Sequence, residues 1–213
     1  MNKKLTVEVV SDHVCPWCYV GKKRLENAIS QRPDLEIDVV WQPYQLSPDM
    51  PREGCNRREH YEQVFGEERA GQIMASMQDT GVDEGIAFGD SPKARSPNTL
   101  SAHALMVLAA DDVQLQNKMA EKLFHAHHVD CEDIGDRAVL LRIAGELGMD
   151  AAEVTTALDS TGLEAKVGGL IEESKRRGVS GVPFFIINGQ YGISGAQPVD
   201  SFVAAFDQIS EAG

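Results

Sequence analysis

Two cysteines three residues apart, Cys15-Pro16-Trp17-Cys18, stand where an extended stretch gives way to a helical one. Upstream, Leu5-Thr6-Val7-Glu8-Val9-Val10 alternates as a half-buried strand does. Downstream, Leu25, Ala28 and Ile29 fall at helical spacing, and Gly21 and Trp17 continue that face backwards. Pro16 suits the first turn of a helix, where no backbone N–H is required. Free N–H groups at a helix N-terminus favour negative charge, and the thiolate is the reactive form of cysteine. Cys15, nearer the open end, is the expected nucleophile; Cys18 is placed to displace what Cys15 has bound and close a disulfide. A zinc half-site has the same spacing, but structural zinc takes four ligands, and no second CxxC or HxxxH follows. Dithiol redox chemistry is the expected use.

The rest of the chain bounds this reading. At 213 residues it holds one large domain or a domain with a substantial insertion. A net charge of −13 argues against a nucleic-acid partner, which calls for a basic patch. No stretch is long and apolar enough to span a membrane. Met1-Asn2-Lys3-Lys4 resembles the start of a secretory signal, but Glu8 and Asp12 interrupt the apolar run that should follow. The mature chain is therefore expected to begin at or near Met1 and to stay in the cytoplasm. There, a protein with four cysteines reads as catalytic or metal-binding rather than disulfide-stapled.

Leu35 to Trp41 alternates again, so the first 42 residues read as strand–helix–strand with parallel strands. Pro43, Pro48 and Pro51 then mark an irregular connection. Residues 57–178 carry helical patterns and no convincing strand. Arg57 to Thr80 reads as two helices, or as one with a break near Gly66, and a loop is expected from Thr80-Gly81 to Pro97 with Ile86 and Phe88 as anchors. Asn98 or Thr99 caps the next helix, and further helices cover Leu115–His128, Asp136–Leu147, Ala151–Leu158 and Leu163–Arg177. Strand character returns at Pro183 to Ile187, Asn188-Gly189 is a hairpin turn, Gln190 to Ile193 is the return strand, and a last helix carries Phe202, Phe206 and Ile209. A connection as long as the one between the two strand-bearing ends is an inserted helical subdomain, not a simple crossover.

This order of elements, with Gly181-Val182-Pro183 ahead of the hairpin, resembles an α/β thioredoxin fold with a large all-helical insertion, as in the DsbA-like oxidoreductases. Cys-Pro-Trp-Cys-Tyr-Val-Gly-Lys (15–22), Gly178 to Pro183 and Ile193 to Pro198 are similar to the cytoplasmic FrnE-like branch. Further echoes are Trp41-Gln42-Pro43, Asn98-Thr99, Ala102-His103 and Leu123-Phe124. On that resemblance residues 1–52 and 161–213 form the thioredoxin-like domain, and 53–160 the insertion. It also implies that Cys15 attacks, Cys18 resolves, Pro16 and Trp17 tune the potential, and Pro183 is a cis-proline against the disulfide. Val182 then offers backbone groups to a substrate segment. The implied function is thiol–disulfide exchange on protein or small-molecule substrates. It needs no metal or organic cofactor, with the cellular thiol pool, glutathione included, as possible co-substrate. Neighbouring families, the kappa-class glutathione transferases and 2-hydroxychromene-2-carboxylate isomerases, typically place serine at the position of Cys15 and an acidic residue where this chain has Ala196-Gln197-Pro198. A glutathione-dependent isomerase or transferase is thus the first rival reading.

A thiol-based metal-binding protein is the second. His125, His127, His128 and Cys131, with Asp130, Glu132 and Asp133, form the one plausible metal cluster. Their alternative is a helix end whose histidines complement the dipole, and that reading is preferred because no recognised zinc spacing is present. Cys55 and Cys131 are expected as free thiols. His13 either influences the Cys15 thiolate through its charge or is an exposed loop residue; both stand open. Glu67-Glu68 and Asp111-Asp112 read as solvated helix surface.

Overall fold

In the computed structural model, residues 3–212 are described; Met1 and Asn2, the start of the signal-like segment, lie outside them. Strand β1 (Lys3–Ser11), helix α1 (Pro16–Ser30) and strand β2 (Leu35–Pro43) open the chain, with β1 and β2 parallel and Val7 opposite Val39. Near the other end β5 (Phe184–Ile187) pairs antiparallel with both β1 and β6 (Tyr191–Ser194), giving a four-stranded sheet of order β2-β1-β5-β6. Val7, Val9, Phe185 and Ile187 are wholly buried on one face of the sheet, and Val10 and Ile186 are buried on the other, as central strands covered on both faces require. Helix α9 (Val199–Ala212) packs with α1, and its Phe202 meets Phe185 edge-on at 4.8 Å. This is the α/β thioredoxin arrangement that the sequence resembles.

Between β2 and β5 the chain is nearly all helix: α2 (Arg57–Phe65), α3 (Glu67–Glu84), α4 (Leu100–Leu108), α5 (Val113–His128), α6 (Arg137–Glu146), α7 (Ala151–Leu158) and α8 (Thr161–Arg176). Helix α5 secures this block to the sheet. Gln116 Oε1 accepts from Trp41 N at 3.0 Å, Asn117 Nδ2 donates to Val39 O at 2.9 Å, and Trp41 Nε1 donates to Asn117 Oδ1 at 2.8 Å. These side-chain amides take the place of a missing neighbour strand along the β2 edge.

Three local readings need correction. The loop expected from Thr80 begins only after Glu84, because helix α3 continues through Gly81. A Cβ there would meet the Ile86 carbonyl and the Phe88 ring at 2.5 Å each, so the glycine marks a close approach rather than a helix end. Residues 57–178 do contain a strand: Arg95–Ser96 (β4) pairs with Cys55–Asn56 (β3). It is too short to show an alternating pattern. Asp112 is not merely solvated; it caps α5, accepting from Gln114 N at 2.9 Å and Leu115 N at 3.0 Å. The break expected near Gly66 is present: α2 and α3 are separate helices that meet there.

Candidate active site

Strand β1 ends at Ser11, and Asp12 to Val14 carry the chain into α1, whose N-cap residue is Cys15 and whose first residue is Pro16. Cys15 N donates to Asp12 O at 3.0 Å, closing the turn. All four cysteines are free thiols. Cys15 keeps 4% of its surface exposed and Cys18 none, so a partner can reach only the first sulfur. The two thiols hydrogen-bond each other, and burial, reinforced by this bond and the Cys15 charge, pushes the Cys18 thiol well above its ordinary value. Trp17 is 36% exposed beside them, while Pro16 is buried.

The Val182–Pro183 peptide bond is cis. Cys15 Sγ lies 3.7 Å from the Val182 carbonyl oxygen, toward which it donates. The close seating of α1 on this segment depends on Gly21: an added Cβ would lie 3.0 Å from the Phe185 ring and 3.2 Å from Pro183 Cγ. Gly195 N donates to Pro183 O at 2.9 Å, and Arg24 Nη1 donates to Ala196 O at 2.6 Å. The stretches 15–22, 182–183 and 194–196, far apart in the chain, thus meet around one pair of sulfurs.

His13 is not an exposed loop residue. It is 2% exposed, its ring 5.0 Å from both His103 and Phe124, and neither ring nitrogen has a hydrogen-bond partner. Burial, with His103 and His128 adding to it, holds its pKa well below the ordinary value, so it is neutral at pH 7. The metal candidates are dispersed. His125 is on the surface, its Nδ1 paired with Asp130 at 2.9 Å; His128 is buried among Tyr19, Phe88 and Phe124; Cys131 packs against Gly89. Among the described residues no three His, Cys, Asp or Glu side chains gather as a metal site.

The profile of the DSBA-like thioredoxin domain matches residues 6–207. The chain belongs to this family. Its relatives include the uncharacterized protein YwbO of Bacillus subtilis (strain 168), 28% identical over 206 residues that cover 93% of this chain and 94% of YwbO. The crystal structure of the probable DsbA oxidoreductase SCO1869 of Streptomyces coelicolor superposes with a TM-score of 0.87 at 28% identity, covering 96% of this chain and 89% of that one. A 2-hydroxychromene-2-carboxylate isomerase shares the fold at 13% identity, with a TM-score of 0.74 over 97% of each chain.

In this DSBA-like domain further residues, some of them from the insertion, surround the cysteines although the linear reading did not assign them to the site. Asp12, seen there only as a charge that breaks an apolar run, is 1% exposed. Its Oδ2 accepts from Leu46 N at 2.8 Å, and its Oδ1 lies 3.4 Å from His103 Nε2, which donates to Tyr44 O at 2.8 Å. A lone acid at the end of a core strand, directly before the cysteines, was the available signal. Tyr61 of α2 had none: it reads as an ordinary core residue of an amphipathic helix, yet its phenol feels the Cys15 charge.

Proposed function

We propose that this DSBA-like protein catalyses thiol–disulfide exchange through Cys15 and Cys18 in the cytoplasm. One observation carries the reading: two hydrogen-bonded thiols stand at the start of a helix, one accessible and facing the Val182 carbonyl, the other sealed. The fold alone does not decide, since isomerases are built on it too. The thiolate of Cys15 attacks one sulfur of a substrate disulfide. That S–S bond breaks, a Cys15–substrate mixed disulfide forms, and the departing sulfur leaves as a thiolate that takes up a proton. Cys18, having lost its proton, then attacks Cys15 Sγ and expels the second substrate sulfur. Two electrons have passed to the substrate and a Cys15–Cys18 disulfide remains. Two low-molecular-weight thiols, such as glutathione, restore the dithiol and become a disulfide themselves; the same steps in reverse oxidise a substrate dithiol. Pro16 and Trp17 set the potential from within the turn, and Val182 offers its backbone to an extended substrate segment. Neither metal nor organic cofactor enters these steps.

The test is a pair of substitutions. Cys15→Ser should abolish disulfide reduction, and Cys18→Ser should accumulate a mixed disulfide visible as added mass on the intact protein. Full activity in the Cys15→Ser protein overturns the assignment.

A further inference from the structure

We infer that the cavity beside Cys15 binds a compact, uncharged, apolar group borne by the sulfur that Cys15 attacks, so that the preferred substrates are low-molecular-weight disulfides of apolar thiols. This rests on the exchange reading above and adds the substrate class. The cavity measures about 290 Å³ and lies between the Leu46–Met50 segment and α2, with apolar walls from Val14, Leu46, Met50, Tyr61, Val64 and Phe65. An apolar protein cavity of ~150 Å³ accepts one benzene ring, so a one- or two-ring group fits.

Location says what enters. Val14 is bonded to Cys15, and the Tyr61 phenol is close enough to be raised by the Cys15 charge, after burial, which is the larger cause. No residue of the Val182–Ala196 side lines the cavity. Cys15 has the Val182 carbonyl at its sulfur, which suits an extended chain, while the cavity, walled by the neighbouring Val14 and not by Cys15 itself, suits a substituent carried on a short linker from the attacked sulfur.

Charge narrows the class. The titratable groups on the walls are His60, Tyr61 and His127. Burial lowers His60 and, with His128 and Arg57 adding, lowers His127 much further, so both are neutral at pH 7. Tyr61 is raised to about 12 and keeps its proton. Arg57, the cation beside His127, directs its Nη2 to the His127 carbonyl at 2.7 Å. A carboxylate or ammonium in this cavity loses hydration and meets no ionised side chain on the walls, since Arg57 lies behind His127 and does not line them. The protonated Tyr61 hydroxyl, without a hydrogen-bond partner among the described residues, offers one donor. Meanwhile the mouth leaves Leu46 48%, Val64 56% and Phe65 42% exposed, apolar surface that such a group covers.

The experiment measures kcat/KM of the full chain for a neutral benzyl mixed disulfide, its para-carboxylate analogue and a peptide disulfide. The neutral compound is expected to exceed the carboxylate at least about tenfold, as pocket discrimination of this kind allows. Two variants at the exposed mouth should move that ratio in opposite directions: Val64→Glu widens it and Val64→Lys narrows or inverts it. A folding defect cannot produce opposite shifts. Equal rates for the two small disulfides in the wild type, or a ratio that neither variant moves, overturns the inference while leaving thiol–disulfide exchange intact. A peptide disulfide preferred over both overturns the small-molecule assignment. Failure to reduce any of the three removes the exchange reading, and this inference with it.

Discussion

Cys18 and His13 carry opposite burdens from the same cause. Burial makes the Cys18 thiol hard to ionise, with the bond to Cys15 and the Cys15 charge adding to it. The second step of exchange needs its thiolate, so release of a preformed mixed disulfide should accelerate as pH rises from 7 to 9 in stopped-flow measurements. A flat profile would mean that another group limits the step. For His13 the charged form is the one excluded, by burial first and then by His103 and His128. Unfolded, His13 takes a proton near its ordinary value of 6.5; folded, it does not until far lower pH. The sign follows: its contribution to stability is full above pH 6.5 and is lost as pH falls below it, by about 1.4 kcal/mol per pH unit. His127 is lowered well below its ordinary value, and His128 to about 3, chiefly by burial; both add to the slope. Denaturant titrations at pH 7 and 5.5 should show the loss, and His13→Phe should make the pH slope shallower.

The helices show how one residue type can serve two purposes. Gly81 lies inside α3 against the Ile86 carbonyl and the Phe88 ring, whereas a Cβ on Gly169 in α8 would meet nothing within 4 Å. Gly81→Ala should destabilise by about 2 kcal/mol through overpacking. Gly169→Ala should stabilise by about 1 kcal/mol through helix propensity alone. Thermal unfolding of the two variants gives shifts of opposite sign; equal signs would contradict the packing assigned to α3. The same contrast explains which element boundaries were legible. Helix α7 spans Ala151–Leu158 as expected, capped by Asp150, but α3 overran its expected end because Gly81 answers to a packing neighbour, not to a turn.

The inserted helix α5 and the active-site helix α1 are joined by charge as well as by packing. Lys22, 3% exposed, donates to Glu26 at 2.6 Å and to Glu121 of α5 at 2.5 Å; Lys23 and Tyr19 donate to Glu121 at 2.8 and 2.9 Å. Burial alone would raise the Glu121 carboxyl, but the Lys22 charge and these hydrogen bonds outweigh it and hold the group at about 2. A carboxylate held below its ordinary 4.5 stabilises the fold above that pH, and the contribution disappears as pH falls from 4.5 through 2. Its side chain is 33% exposed, so screening reduces the effect to about 1–2 kcal/mol. Glu121→Gln should be less stable than wild type by that amount at pH 7 and equal to it near pH 2. The bond joins α5 to α1, the helix that starts at Cys15, so the same variant should also show whether loosening the insertion alters the redox potential.

Composition and order along the chain determined the strand–helix–strand opening, the closing hairpin, the helical character of the insertion and the cysteine pair. Each of these is a local pattern, with period 2, period 3.6 or a fixed spacing, and the physics that reads it spans a few residues. What the sequence could not determine arises between residues far apart in the chain. His13 is buried rather than exposed because Phe124 and His103, from helices of the insertion, close over it. His125 and His128, one turn apart on a helix, part company because one faces Asp130 at the surface and the other an aromatic cluster. The apolar cavity next to Cys15 exists only because α2 and the Leu46–Met50 segment are brought to Val14. Burial and hydrogen-bond partners are set by what packs against a side chain, and that information belongs to the folded molecule alone.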